Sequence, residues 1–144
     1  MHMPSRIAIS VLWFDDDLVE LQVVASNDSF AGTVALYGAH DSMTQLAESI
    51  SGFPSCASDT RQFELGTFEP NSAGGGVHFE FYCTDTVGHA EVKVQLRGEN
   101  IHREGEKETA QLFISVEAST VDSFVQQLKA MELQRDSTAC LSAV

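Results

Sequence analysis

The chain has 144 residues, of which 43% are hydrophobic and 20% are charged. This composition fits one globular domain and excludes a disordered or fibrous chain. Eight basic and 21 acidic residues give a net charge of −13, which disfavours binding to the phosphate backbone of a nucleic acid. The sequence has no apolar run of about 18 residues and no signal-peptide pattern. We therefore expect a cytoplasmic protein with neither a membrane nor a nucleic acid as its partner.

The N-terminal part alternates between apolar and polar residues, as strands with one buried face do. Short polar clusters rich in Asp, Asn and Ser separate the alternating segments, and such clusters favour turns. The pattern predicts three antiparallel strands at residues 6–14, 18–26 and 30–37. It places Trp13 inward at the end of the first strand and Phe30 inward at the start of the third.

A helical period follows the third strand. Four apolar residues recur at the i, i+3, i+4 and i+7 spacing of an amphipathic helix, namely Met43, Leu46, Ala47 and Ile50. Asp41 or Ser42 can cap this helix, and Ser42 and Gln45 have the spacing of a capping box, in which each side chain bonds the other residue's free backbone N–H. Gly52 and Pro54 are expected to end this helix.

Further alternation and a second helical stripe complete the domain. Four strands are predicted at residues 61–68, 77–84, 89–97 and 109–117, with a charged loop at 98–108. The alternation places Cys83 and Ala110 inward. A second helix is predicted from an apolar stripe that runs from Val121 to Met131, with Ser119 and Asp122 at capping-box spacing.

The order of elements, βββαββββα, predicts an α+β fold. We expect one mainly antiparallel sheet of about seven strands, with both helices on one face and polar side chains on the other. The predicted domain covers residues 1–132, and residues 133–144 form a weakly patterned C-terminal tail.

Two short motifs have a possible chemistry and a simpler structural interpretation. Asp15, Asp16 and Asp17 could ligate a hard cation, but they lack the twelve-residue spacing of a calcium loop, so a solvated turn is favoured. The run Gly74–Gly76 lies before a predicted strand and has no lysine nearby, so it is predicted to be a flexible connection rather than a phosphate-binding loop.

Histidines and cysteines show no metal-ligand spacing. We place His78 opposite residue 95 by counting outward from the turn at 85–88, which separates His78 from His89 by roughly 20 Å at ~3.3 Å per residue. A thiol at Cys83 is expected to pack as a small hydrophobic group. The other histidines and cysteines have no evident partner either: His2, His40, His102, Cys56 and Cys140. We therefore predict no catalytic residue, no metal site and no cofactor.

The excess of acid suggests a docking face for a basic protein, because charge complementarity speeds association. Four glutamates are predicted on the uncovered face of the sheet: Glu20, Glu64, Glu80 and Glu91. Lys93 and Arg97 would dilute their charge locally. The alternatives are an acidic surface that serves solubility, a small-molecule or enzymatic pocket between sheet and helices, and a homo-oligomer. An oligomer would form through edge strands or through the tail, whose apolar residues are Ala139, Leu141 and Val144.

The layout resembles small bacterial domains of the WapI-like immunity class and related α+β families. The matching stretches are Phe14 to Phe53, Gly76 to Arg97 and Ala110 to Met131. Domains of those families carry an N-terminal meander, a short helix, further strands and a C-terminal helix. The resemblance implies a cytosolic protein that neutralises a toxin by binding it, and it implies no catalytic residue.

Overall fold

The structure is a computed structural model that describes residues 5–99, 102–103 and 105–142. Within those ranges the chain forms eight strands and two helices. These are β1 (Arg6–Phe14), β2 (Val19–Ser26), β3 (Ala31–Gly38), α1 (Ser42–Ile50), β4 (Thr60–Gly66), β5 (Gly76–Cys83), β6 (Ala90–Glu99), β7 (Lys107–Val116), α2 (Ala118–Ala130) and β8 (Thr138–Ser142). The α+β class, the two helices and the antiparallel pairing are confirmed.

The strands form two sheets rather than the single predicted sheet. The first has the order β3-β2-β1-β8 and the second the order β4-β5-β6-β7, with every described pair antiparallel. Alternation shows that each strand buries one face, but it does not show what covers that face. Strand β3 is an edge strand of the first sheet. Strand β4, which follows β3 after α1, is an edge strand of the second sheet and does not pair with β3.

Strand β8 lies in the segment predicted to be a weakly patterned tail. It pairs with β1, with Leu141 opposite Ile7 and Ala139 opposite Ile9, and all four side chains are fully buried. Its outer edge meets α2, where the Gln127 side chain accepts a hydrogen bond from the backbone N–H of residue 140 (2.9 Å) and donates one to its carbonyl (3.0 Å). The tail therefore packs within its own chain. Val144 lies outside the described residues.

One hydrophobic core fills the space between the inner faces of the two sheets and the helix pair. The apolar stripe of α2 enters it through Val121, Phe124, Val125 and Leu128. Phe53, which follows α1, packs edge-to-face on Phe81 of β5 with ring centroids 5.7 Å apart. Removing this apolar surface from water is the main force that holds the layers together.

The predicted inward orientation of Trp13 is wrong, because β1 contains a β-bulge just before this residue. The pairing of β1 with β2 shifts by one residue between Val11 and Trp13, so that Trp13 lies opposite Glu20 rather than the buried Val19. A shift of one residue moves a side chain to the other face of the sheet. Trp13 is therefore 45% exposed. The predicted inward position of Phe30 is also wrong, because Phe30 precedes β3 and is exposed.

Both predicted capping boxes are wrong. Asp41, one of the two residues expected to cap α1, is its N-cap, and Gln45 donates to the Asp41 carboxylate (2.8 Å) instead of pairing with Ser42. In α2 the box is formed by Glu117 and Thr120. Short polar residues near both helix starts offer several similar spacings, and the backbone path decides which of them is used.

Strand ends and orientations near β7 also differ from the prediction. Strands β6 and β7 extend into the predicted charged loop and leave only residues 100–106 between them. Ala110 is exposed rather than inward, and Cys83 is half-buried against the core. Strand β7 reaches beyond the core at its N-terminal end, so its alternation no longer separates a buried face from an exposed one.

Candidate functional site

The four predicted acidic residues do not share one face. Glu64, Glu80 and Glu91 lie on the outer face of the second sheet, whereas Glu20 belongs to β2 in the first sheet. Glu80 forms an ion pair with Lys93 across the β5–β6 ladder (3.2 Å). The charge of the outer face of the second sheet is therefore partly compensated within the sheet, and the cross-strand register makes Lys93 the partner of Glu80.

Glu91 is also engaged by a cross-strand neighbour. The Tyr82 hydroxyl lies opposite it and donates a hydrogen bond to its carboxylate (3.0 Å). Burial, together with this bond and the nearby negative charge, raises the pKa of Tyr82 to about 12. Tyr82 thus remains a neutral donor under ordinary conditions, and Glu91 has a fixed internal partner.

Glu20 has a different setting, between two exposed aromatic residues. Trp13, Glu20 and Tyr37 are direct cross-strand neighbours on β1, β2 and β3. Directly opposite residues of an antiparallel pair share one face, so the three side chains form a row on the outer face of the first sheet. Trp13 is 45% exposed and Tyr37 is 43% exposed. We call these three residues the acidic–aromatic row.

The turn beside this row carries further acid. The Asp15 carboxylate accepts hydrogen bonds from the backbone N–H groups of Leu18 (2.9 Å) and Asp17 (2.8 Å), and these bonds lower the pKa of Asp15. The His40 side chain bonds the Asp15 carbonyl (2.7 Å) and so ties the turn to the start of α1. The predicted turn is present, and Asp16 and Asp17 extend into solvent beyond it.

A hollow of about 400 Å³ lies beside Tyr37. Its lining includes Glu20, Tyr37, Gly74 and Glu99. Glu99 accepts hydrogen bonds from the Gly74 backbone (3.1 Å) and from Lys107 (3.0 Å), and both interactions lower the pKa of Glu99. An aromatic ring and two carboxylates thus border one open space.

The glycine run explains how this hollow forms. Gly75 donates to the Ala35 carbonyl on the edge of β3 (3.0 Å), and a Cβ at Gly75 would lie 2.5 Å from the Arg97 carbonyl oxygen. At Gly74 the backbone has φ +84°, and a Cβ would lie 2.9 Å from the Tyr37 ring. Gly74 and Gly75 lie in the connection from β4 to β5, and Gly76 is the first residue of β5. The two connecting glycines allow this segment to pack closely against β3 and β6.

The remaining histidine and cysteine predictions concern groups outside this surface. His78 lies opposite Gln95, as the turn count predicted. His89 forms a short contact with the Asp85 carboxylate, and this contact is the largest cause of the lowered pKa of Asp85. The His89 side chain is 72% exposed, so the pair fastens a solvated turn and does not form an enclosed acid–base site. The three cysteines are free thiols.

Among the described residues, no three His, Cys, Asp or Glu side chains come together in a way that could hold a metal ion. No helix within those ranges is both long enough and apolar enough to cross a membrane. His2, one of the five histidines considered in the sequence, lies outside the residues that the structure describes.

Comparison of the chain with protein-family models, curated proteins and solved structures found no match. Function is therefore inferred from surface geometry and charge. Sequence reasoning identified Glu20 but missed the two aromatic residues beside it. Tyr37 lies next to the last residue of β3 and Trp13 follows a bulge, and only the cross-strand register brings them together.

Proposed function

We propose that this protein is a non-enzymatic, cytoplasmic binding module that recognises a basic segment of another protein through the acidic–aromatic row. The observation that carries the proposal is the position of Glu20 between exposed Trp13 and Tyr37, beside a hollow of about 400 Å³. A carboxylate flanked by two aromatic side chains offers both charge and apolar contact area to a Lys or Arg side chain.

Two physical arguments favour this surface over the rest of the chain. Tryptophan and tyrosine are the residue types that most often dominate binding energy in protein interfaces. The face of an aromatic ring also attracts cations, and arginine stacks on such rings readily. The hollow beside Tyr37 is large enough for one such side chain, and the Glu20 carboxylate would oppose its charge.

The net charge of −13 supports the same class of partner. Asp16 and Asp17 lie at the turn next to Trp13, so the negative potential extends around the row. Such a field accelerates the encounter with a basic protein and slows the encounter with acidic ones. The expected association is therefore sensitive to salt.

The toxin-neutralising role implied by the resemblance to immunity domains is the specific form of this proposal. An immunity protein acts by occupying its target, and it needs a binding surface but no catalytic group. The acidic–aromatic row would supply that surface, and the target would present a basic segment. The small size and negative charge of the chain support this role, as do the exposed side chains of Trp13 and Tyr37.

Trp13 is the only tryptophan of the chain, so its fluorescence reports directly on the proposed surface. The chain would be titrated with an arginine-rich peptide, with a glutamate-rich peptide of equal length as the control. We expect a saturable change with the arginine-rich peptide alone, weakened by added salt. Glu20→Gln and Tyr37→Ala should each weaken binding about tenfold, which corresponds to about 1.4 kcal/mol.

Glu64→Gln is the matched control, because it removes the same charge from the other sheet. It should leave the affinity within about twofold, since an exposed charge away from the interface contributes little. If Glu64→Gln and Glu20→Gln weaken binding equally, then the peptide senses only the net charge and the proposed surface is wrong. A natural partner isolated with the unmodified chain should likewise bind the Tyr37→Ala variant about tenfold more weakly.

A further inference from the structure

A second hollow, of about 620 Å³, lies on the outer face of the second sheet. It is separate from the acidic–aromatic row, which belongs to the first sheet. Strands β4 to β7 form its floor, and the connection from β4 to β5 forms one wall. We call it the polar hollow. Its main polar and aromatic lining residues are Glu64, Phe68, His78, Gln95, Arg97 and Lys107.

His78 provides the first sign of a ligand. Its Nδ1 atom is buried and has no hydrogen-bond partner among the residues that the structure describes. Buried polar atoms are nearly always paired, so an orphaned ring nitrogen calls for an explanation. Its cross-strand neighbours are Glu64 on one side and Gln95 on the other. Gln95 donates its side-chain amide to Gln111 (3.1 Å) rather than to His78.

Two cations stand at one end of the polar hollow. Arg97 donates to the Phe68 carbonyl through Nη1, and Lys107 donates through Nζ to the Ser72 carbonyl (3.0 Å). Lys107 also pairs with Glu99 (3.0 Å), and only 14% of its side chain is exposed. These contacts hold both cations in place before any ligand arrives. Because Glu99 balances the charge of Lys107, Arg97 is the cation that would meet an anion in the polar hollow.

The register of the sheet brings His78 and Arg97 within reach of one small group. His78 lies opposite Gln95, so Arg97, two residues further on, is its diagonal neighbour. Such neighbours are about 7–8 Å apart, a distance that longer side chains can bridge. One carboxylate could accept a bond from the guanidinium, and another from the imidazole once a rotation of the ring turns its buried Nδ1 toward the hollow. Phe68 offers an apolar surface for the remainder of the ligand.

We propose that the polar hollow binds an organic monocarboxylate, with its carboxylate between Arg97 and His78 and its apolar body against Phe68. The net charge of the chain favours a monoanion, because a multiply charged anion such as phosphate would be repelled more strongly at long range. The hollow has the volume of ordinary small-ligand sites, which span about 300–1,000 Å³.

Benzoate is a suitable probe because it joins a carboxylate to a flat apolar ring, and benzamide is its neutral counterpart. Backbone N–H chemical shifts of the full chain would be followed by NMR during titration with each compound. We expect saturable millimolar binding of benzoate, with the largest shifts on β5, β6 and the connection before β5. Benzamide should bind at least tenfold more weakly. Equal binding of the two compounds would overturn the proposal.

Variants then test the assigned residues. Arg97→Gln and His78→Phe should each weaken benzoate binding about tenfold. Lys93 lies on the same face of the sheet but outside the hollow, where it pairs with Glu80. Lys93→Gln therefore removes one positive charge and should leave the affinity for benzoate unchanged. The proposal fails if Lys93→Gln weakens binding as much as Arg97→Gln does, or if the benzoate shifts centre elsewhere. It also fails if inorganic phosphate binds more tightly than benzoate. The comparison of benzoate with benzamide needs no variant, so a variant that does not fold leaves the test intact.

Discussion

The contact between Asp59 and Arg61 joins three parts of the chain, and its removal should destabilise the fold in a pH-dependent way. The Asp59 carboxylate accepts two parallel bonds from the Arg61 guanidinium, through Nε and Nη2, both at 2.9 Å. It also accepts the backbone N–H (2.8 Å) and the hydroxyl (3.0 Å) of Ser55. Arg61 in turn donates to the carbonyls of Ser49 (3.2 Å) and Ser51 (2.9 Å) at the end of α1.

The size of this effect follows from the titration of Asp59. The Arg61 hydrogen bonds, and after them those of Ser55, lower the pKa of Asp59 from 3.8 to about 2. One pKa unit corresponds to about 1.4 kcal/mol. Both side chains keep some contact with solvent, since 10% of Asp59 and 24% of Arg61 is exposed. Screening by this solvent reduces the free energy that the pKa shift alone would give. We expect the carboxylate to contribute about 1–2 kcal/mol at neutral pH.

The sign of the pH dependence follows from linkage. The pKa of Asp59 is lower in the folded state than in the unfolded state, so its contribution is complete above the unfolded value of 3.8. It is lost as the pH falls through the folded value of about 2. Asp59→Asn should therefore lower the free energy of unfolding by about 1–2 kcal/mol at neutral pH, and the difference from the unmodified chain should shrink below 3.8.

Urea denaturation, followed by far-UV circular dichroism across this pH range, measures that difference. Asp122→Asn is the control, because it removes an exposed acid from α2; it should change the free energy of unfolding by less than about 0.5 kcal/mol. Arg61→Lys should cause part of the loss, since an ammonium group cannot donate in parallel to both carboxylate oxygens. A loss in Asp59→Asn that persists undiminished at the lowest pH would refute the assignment to the charged carboxylate.

Two further predictions concern packing at strand edges. Gln127→Ala should cost about 1–2 kcal/mol, because it leaves the half-buried backbone groups of Cys140 without their partner; urea denaturation measures this, and an unchanged midpoint would contradict it. Because the same change uncovers the edge of β8, size-exclusion chromatography should show more association than for the unmodified chain. Gly75→Ala should lower the melting temperature by several degrees, since the added methyl group would lie 2.5 Å from the Arg97 carbonyl oxygen. A melting temperature equal to that of the unmodified chain would show that this connection can move aside.

The local pattern of apolar and polar residues was sufficient to predict most of the strands and both helices. Alternation located the seven longer strands, and helical spacing located both helices, because a strand or helix with one buried face must repeat its apolar residues at its own period. The position of His78 opposite Gln95 also followed from counting across a short turn. In such a turn the two strands are adjacent in sequence, so their register is a local property.

The features that matter for binding depended on contacts between distant parts of the chain. The division into two sheets, the strand at 138–142 and the bulge that exposes Trp13 all follow from which strand edges are paired and which inner faces meet. A five-residue strand carries too little alternation to be recognised, and a bulge leaves no periodic signal of its own. The sequence alone determined the fold class, the elements and the acidic charge. Tertiary structure decided that Glu80 and Glu91 have internal partners and that Glu20 lies between two aromatic rings, because cross-strand register sets which side chains become neighbours.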